Sequence, residues 1–276
     1  MMFKIDLTYT VKSVVADLKL LLKEDIPEEY KDWARDGIAY ADRNPEADVL
    51  DFPNNIFSYI RKDPMPPVVR ELVEDILLQG INQGSGVAAC NLGALYYTGQ
   101  IGEQSYSKAM ELYEIAADSG DIQAIENLGY CYYYGRDCEV DYAKAFECFS
   151  KGAFQGRVTS LYKIGDMYKN GFHVSQNLNE AFQIYSHCID IINHEDDAKE
   201  YDADVYVRYA DCYANGIGCE QDPLTALYWA QRAEYKFRVR ESKNDPFARH
   251  GVDWAVDLIN KCRYLMDGDI LKSQPC

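Results

Sequence analysis

The chain is expected to fold as an all-α solenoid: antiparallel helix pairs stacked in register, closed by a helical cap at each end. Three observations carry this expectation. NLGALYYTG (91–99), NLGYCYYYG (127–135) and KIGDMYKNG (163–171) are one segment written at a step of 36 residues, and RYADCYANG (208–216) repeats it after a step of 45. A second block travels with the first: SKAMELYEIA (107–116), AKAFECFSKG (143–152), EAFQIYSHC (180–188) and TALYWAQRA (225–233). Within both blocks the apolar residues recur three and four apart, which is the helical spacing. A period of this size marks an architecture in which each unit buries its apolar face only against its neighbours, so function is sought on a surface rather than in a pocket.

Taken in order, segments 9–24 and 26–42 read as two helices, the second opened by Asp25 and Pro27. They form an N-terminal cap within a first region, 1–64. A shift back by 36 residues puts Ile56 and Phe57 where Leu92 and Gly93 stand, and Val73 where Ala109 stands. Residues 66–83 then read as a second helix, with Gly84 aligned to Gly120. Phe57 is large and Asp63 replaces the loop glycine, so this unit is degenerate.

The repeat array proper spans 65–238. In its first clear unit Ala88, Leu92 and Tyr96 form one stripe with Gly93 beside it; the next unit repeats this as Ala124, Leu128, Tyr132 and Gly129. A glycine inside a helix costs about 1 kcal/mol relative to alanine. Small residues in register (Gly93, Gly129, Gly165 and Ala210) therefore predict a second helix packed close against them. Gly99, Gly135, Gly171 and Gly216 close the first helices, where a left-handed residue commonly stops a helix. Ser105, Asp141, Asn177 and Asp222 precede the second helices, as N-caps whose side-chain oxygens accept from orphaned backbone N–H groups. Pro223 follows at the first helical position, where its missing N–H does no harm. Ala109, Ala145, Ala181 and Ala226 share one position in the second helices. The third unit carries nine extra residues around 189–205, expected to lengthen or bulge the helix pair. The last region, 239–276, holds a terminal helix over 247–266 with Val252, Ala255, Leu258, Ile259 and Cys262 on one face.

The pattern A-x-x-x-L-G-x-x-Y-x-x-G, a short polar loop, then K-A-x-x-x-Y-x-x-A-A-x-x-G resembles the Sel1-like repeat, a relative of the tetratricopeptide repeat. The resemblance covers about 65–237. It implies a right-handed superhelical scaffold that mediates protein–protein contacts, and it implies no catalysis, cofactor or metal. The fourth copy departs from it, with Tyr209-Ala210 in place of Leu-Gly.

The net charge of -17 argues against nucleic-acid binding, which needs clustered Lys and Arg. No apolar run approaches the roughly 20 residues of a membrane helix, so membrane insertion is not expected. The N-terminus is broken by Asp6, Lys12, Asp17 and Lys19 and does not read as a secretory signal. Nine cysteines without such a signal suggest reduced thiols in a cytoplasm. Cys131 with Cys138, and Cys212 with Cys219, share a spacing and a repeat position and are read as free thiols rather than bridges.

Helical geometry points the residues just before the Leu-Gly pair, and those one and four places after its Gly, toward the inner groove of a helix-pair superhelix. The first column is Asn91, Asn127, Lys163 and Arg208; the second is Ala94, Tyr130, Asp166 and Asp211; the third is Tyr97, Tyr133, Lys169 and Ala214. Asparagine amides suit the backbone of an extended peptide, Lys163 and Arg208 suit a carboxylate, and the tyrosines offer stiff amphipathic contact area. The expected partner-binding set is therefore Asn91, Tyr97, Asn127, Tyr130, Tyr133, Lys163, Asp166, Arg208 and Asp211. Asn91 and Asn127 are equally explained as polar residues on a wet face or as bonds to the next unit. A basic stretch, Arg232, Lys236, Arg238, Arg240 and Lys243, is a second candidate surface.

His187 beside Cys188 suggests a nucleophile and base, but adjacent helical residues face different sides, and Cys188 aligns with Ala116, Gly152 and Ala233 as a core position. His194 with Glu195, Asp196 and Asp197 lacks zinc-site spacing. The GIG at 216–218 follows no strand and is an inter-helix loop rather than a dinucleotide motif. The expected function is a non-catalytic adaptor for a protein or peptide partner, a basic one being compatible with the charge of -17, with a monomer favoured. The alternative is an acidic cytoplasmic inhibitor of the immunity type that neutralises a toxin or enzyme.

Overall fold

The computed structural model describes residues 10–44, 46, 65–194, 202–243, 245 and 247–273, with side chains as far as 267. Ile56, Phe57, Asp63 and the acidic run at 195–197 lie outside the described residues. Among those described there are twelve helices and no strand. The chain divides into two compact units, Met1–Asp141 and Tyr142–Cys276, each with its own apolar core.

The first unit holds α1 (Val11–Leu21), α2 (Glu28–Arg43), α3 (Pro67–Asn82), α4 (Gly86–Thr98), α5 (Tyr106–Asp118) and α6 (Ile122–Tyr134). Thr10 opens α1 through a reciprocal capping box with Ser13, which satisfies two backbone donors at that end. Of the two residues expected to open α2, Pro27 takes the N-cap position, with no side-chain cap, and Asp25 lies two residues ahead of it. Val14, Leu18 and Leu21 of α1 and Tyr30, Trp33 and Ala34 of α2 are buried with Val69, Val73, Ile76 and Leu77 of α3, as an N-terminal cap requires. The second unit holds α7 (Tyr142–Phe154), α8 (Val158–Asn170), α9 (Leu178–His194), α10 (Asp202–Asn215), α11 (Pro223–Ser242) and α12 (Ala248–Ser273). The insertion lengthens α9 to 17 residues, against 13 in α5 and α7. The terminal helix runs past its expected end and buries Val252, Ala255, Leu258, Ile259 and Cys262.

The repeat signals act as expected. Gly99, Gly135, Gly171 and Gly216 all take positive φ, between 65° and 75°, at the ends of α4, α6, α8 and α10. Ser105 accepts from the Lys108 N–H at 3.3 Å, Asn177 from Glu180 at 3.1 Å, and Asp222 from Leu224 and Thr225 at 3.0 and 3.1 Å. The small residues serve a more specific purpose than helix approach alone. A Cβ on Gly93 would sit 2.7 Å from the Tyr113 ring, and one on Gly165 would sit 2.6 Å from the Tyr185 ring. In α4–α5 and α8–α9 the glycine of the first helix is thus the seat for a buried tyrosine of the second. Gly165→Ala should cost about 1–3 kcal/mol of overpacking, readable as a lowered midpoint in urea unfolding.

Candidate partner-binding surface

In the first unit the column residues are half-buried. Asn127 is held at both ends of its amide: Gln123 donates to its oxygen at 3.2 Å, and its nitrogen faces the Cys90 sulfur on α4 at 3.8 Å. One of the two local readings of Asn127, a bond to the neighbouring unit, therefore describes it. Around it lies an aromatic surface. Tyr130 stacks on Tyr134 at 6.3 Å between ring centres, Tyr133 meets Tyr134 edge-on at 4.9 Å, and Tyr97 meets Tyr106 edge-on at 5.0 Å. The Arg136 guanidinium lies 5.0 Å from the Tyr106 ring and 5.8 Å from Tyr134, a cation over electron-rich faces. Arg136 was not singled out from sequence; its place just after the helix-stop glycine, level with three tyrosines, is the signal that was available.

In the second unit the same columns turn inward. Lys163, Asp166, Arg208 and Asp211 are all buried. Arg208 donates through Nε and Nη2 to the two oxygens of Asp166 at 2.7 and 2.8 Å, a bidentate fork, and through Nη1 to the Asp204 carbonyl at 2.8 Å. The Tyr185 hydroxyl donates to Asp166 Oδ1 at 2.7 Å, and Lys163 Nζ lies 3.6 Å from Oδ2. The guanidinium carbon lies 4.3 Å from the centre of the Tyr162 ring and 5.6 Å from that of Trp254 on the terminal helix. Asp211 accepts from Lys169 and from Asn215, and Lys261 of α12 donates to Asn215 in turn.

Lys163 and Arg208 do hold a carboxylate, but it is Asp166 of the chain itself. This corrects the expectation that they face a partner's. The physical reason is burial. Once Trp254 covers this face, a guanidinium here must be paired and hydrogen-bonded. Burial by itself pushes the Asp166 carboxyl up; the charge and hydrogen bonds of Arg208, with Lys163 and Tyr185, outweigh it and hold the group below the usual carboxylate range. The parts missed from sequence are Tyr185 and Trp254, since periodicity marks both only as core or cap positions.

Cys188 is fully buried in the second core, while His187 next to it is exposed. Burial pushes the Cys188 thiol up to about 12, the opposite of an activated nucleophile. Labelling of the folded protein with a maleimide at pH 8, read by peptide mass spectrometry, should leave Cys188 unmodified while denatured protein is labelled. Modification of native Cys188 at the rate of an exposed thiol would contradict this. Cys131, Cys138, Cys212 and Cys219 form no disulfide. Among the described residues no group of His, Cys, Asp and Glu is placed to hold a metal ion, and no helix is long and apolar enough to cross a membrane.

The Sel1 repeat family model matches four consecutive segments, 86–121, 122–156, 158–186 and 203–235, and these fall on the helix pairs described above. The chain carries four Sel1 repeats. Sel1 repeat proteins generally act as interaction scaffolds between proteins. The crystal structure of a Sel1 repeat protein from Oxalobacter formigenes is similar over 88% of this chain and 96% of its own, with a TM-score of 0.57 and 21% identity, a likeness of fold. The protective antigen c5321, present in uropathogenic Escherichia coli strains and displaying an SLR fold, is 16% identical with a TM-score of 0.42, over 96% of this chain and 64% of its own; the fold assignment draws nothing from it. No curated protein matches. The Sel1 match begins at Gly86, so α3 lies outside it although its helix and Gly84 keep the repeat register.

Proposed function

We propose that this Sel1 repeat chain is a non-catalytic binding module that takes a peptide segment of a protein partner on the first-helix face of its N-terminal unit. The observation that supports this reading is the contrast between the two halves of the column set. Lys163, Asp166, Arg208 and Asp211 are spent on internal pairs, whereas Asn91, Asn127, Tyr97, Tyr130 and Tyr133 keep part of their surface in solvent. The tyrosines form a rigid, pre-ordered surface, which lowers the ordering cost of binding.

The test is the double variant Asn127→Ala, Tyr130→Ala. A partner recovered by affinity capture with the wild-type chain should bind this variant at least about tenfold more weakly by calorimetry, since a lost aromatic anchor alone typically costs about 2 kcal/mol. Unchanged affinity would place the partner elsewhere. The net charge of -17 favours a second reading, an inhibitor that neutralises a basic toxin or enzyme. The two separate by salt: electrostatic capture of a basic partner weakens steeply with ionic strength, whereas aromatic peptide docking does not.

A further inference from the structure

The second unit carries an open pocket of about 430 Å³ on α10 and α11, lined by Tyr206, Tyr228, Gln231, Arg232, Tyr235 and Lys236. Its chemistry is unlike the rest of a chain whose net charge is -17. Arg232 lies over three aromatic rings at once, with its guanidinium carbon 5.1 Å from the centre of Tyr206, 5.5 Å from Tyr228 and 5.5 Å from Trp229. Nη1 donates to the Tyr228 hydroxyl at 3.0 Å and Nη2 to the Tyr206 hydroxyl at 3.4 Å. These bonds use two of the five N–H donors of a guanidinium.

Among the described residues no carboxylate pairs with Arg232. That distinguishes it from Arg208, Arg238, Arg240 and Arg249, each of which has an acidic partner within 4 Å. Lys236 Nζ reaches Asp202 Oδ2 at 3.0 Å, which leaves the pocket with the charge of one uncompensated guanidinium. Along the same helix Leu224, Tyr228 and Tyr235 are 69%, 52% and 68% exposed, and their spacing of four and seven residues puts them on one face with Gln231. A fork-shaped cation held rigid on an aromatic floor, beside an exposed apolar stripe, fits a carboxylate carried next to an apolar side chain.

We propose that this pocket is a second docking site, separate from the first-helix face of the N-terminal unit, and that it takes an acidic, apolar-bearing peptide segment of a partner protein. Charge complementarity selects that occupant: the carboxylate meets Arg232, and the adjoining apolar side chain lies between Tyr228 and Tyr235. Elsewhere in the basic stretch Arg238 pairs with Glu234 at 2.8 Å and Arg240 with Asp204 and Asp245 at 2.6 and 2.7 Å, while Lys243 is exposed and does not line the pocket. The anchoring cation is therefore Arg232 rather than the stretch as a whole.

The test uses the full chain and two labelled peptides, Glu-Glu-Phe-Glu-Glu-Phe and its uncharged counterpart Gln-Gln-Phe-Gln-Gln-Phe, followed by fluorescence anisotropy. The acidic peptide should bind the wild-type chain and the Asn127→Ala, Tyr130→Ala variant alike. It should bind Arg232→Gln at least about tenfold more weakly, with the thermal midpoint of that exposed-site variant unchanged. No binding to wild type, equal binding of the uncharged peptide, or an unaffected Arg232→Gln would overturn the proposal. So would loss of binding in the Asn127→Ala, Tyr130→Ala variant, which would assign the peptide to the first-helix face. Concentration-dependent dimerisation of the wild type in sedimentation, absent in Arg232→Gln, would give the pocket to a second copy of the chain and overturn it as well.

Discussion

Replacing Arg208 by methionine should lower the unfolding free energy of the C-terminal unit by roughly 3–5 kcal/mol, the usual cost of leaving one member of a buried pair without the other. The Asp166 carboxylate would keep only the Tyr185 hydroxyl and a lysine 3.6 Å away, in a site that no longer admits water freely. Urea unfolding at pH 7 followed by tryptophan fluorescence reads this unit well, because Trp229 and Trp254 both lie in it. Adding Asp166→Leu to Arg208→Met should recover most of the loss, since two apolar residues of similar bulk leave no buried charge. A single Arg208→Met variant as stable as wild type would mean that the pair is solvated and not part of the core.

The same pair sets an acid limit. Asp166 titrates below its unfolded value, so its contribution is fully present above the ordinary carboxylate range and is lost as the pH falls below it through the folded value. Arg208 is charged in both states over this range and adds no slope. Wild type should therefore lose stability steeply below about pH 4, and the Asp166→Leu, Arg208→Met variant should lose less.

Gly218→Ala should be the most damaging glycine substitution in the loops, at roughly 2–4 kcal/mol, taken as overpacking added to left-handed strain. Its φ is +68°, and a Cβ there would overlap the backbone carbonyl of Leu178 and stand 2.9 Å from the Phe182 Cβ, at the start of α9. Backbone at a helix start cannot give way as a side-chain tip can. Gly216, two residues earlier at φ +67°, is the control, because its nearest neighbour would be 3.6 Å away. Gly216→Ala should then carry only the conformational cost of about 1 kcal/mol. Equal thermal shifts for the two variants would show that the contact with Leu178 has no weight. The GIG motif is accounted for by this geometry: one glycine stops α10 and the other lets the loop rest on the preceding repeat.

What was legible beforehand was what depends on a residue's own backbone and its neighbours a few positions away. A left-handed stop at Gly135 and a cap at Asp222 are local demands repeated in register, and repetition makes them readable from one chain; the small residue at 165 was readable as a close helix crossing, but not that Tyr185 would fill it. The lengthening of α9 was one of two outcomes that the nine extra residues left open, the other being a bulge. Of the pair Asp25 and Pro27 expected to open α2, Pro27 takes the N-cap position, a choice its fixed backbone makes locally.

The fate of the polar columns was a different kind of question. Asn127 and Arg208 hold the same register position, and nothing within either repeat distinguishes a half-exposed amide from a buried guanidinium. The difference comes from Trp254, far along the chain, which covers Arg208 and obliges it to find Asp166, and from Tyr185 reaching the same carboxylate from the second helix. The Arg232 pocket is likewise a product of three aromatic rings brought together from two helices. By itself, then, the sequence determined the repeat, its stops and its small-residue crossings, because those are set by short-range sterics and hydrogen bonding. Only the tertiary structure decided which charges are internal and which stay exposed, because burial depends on what packs across from a residue, and no period records that.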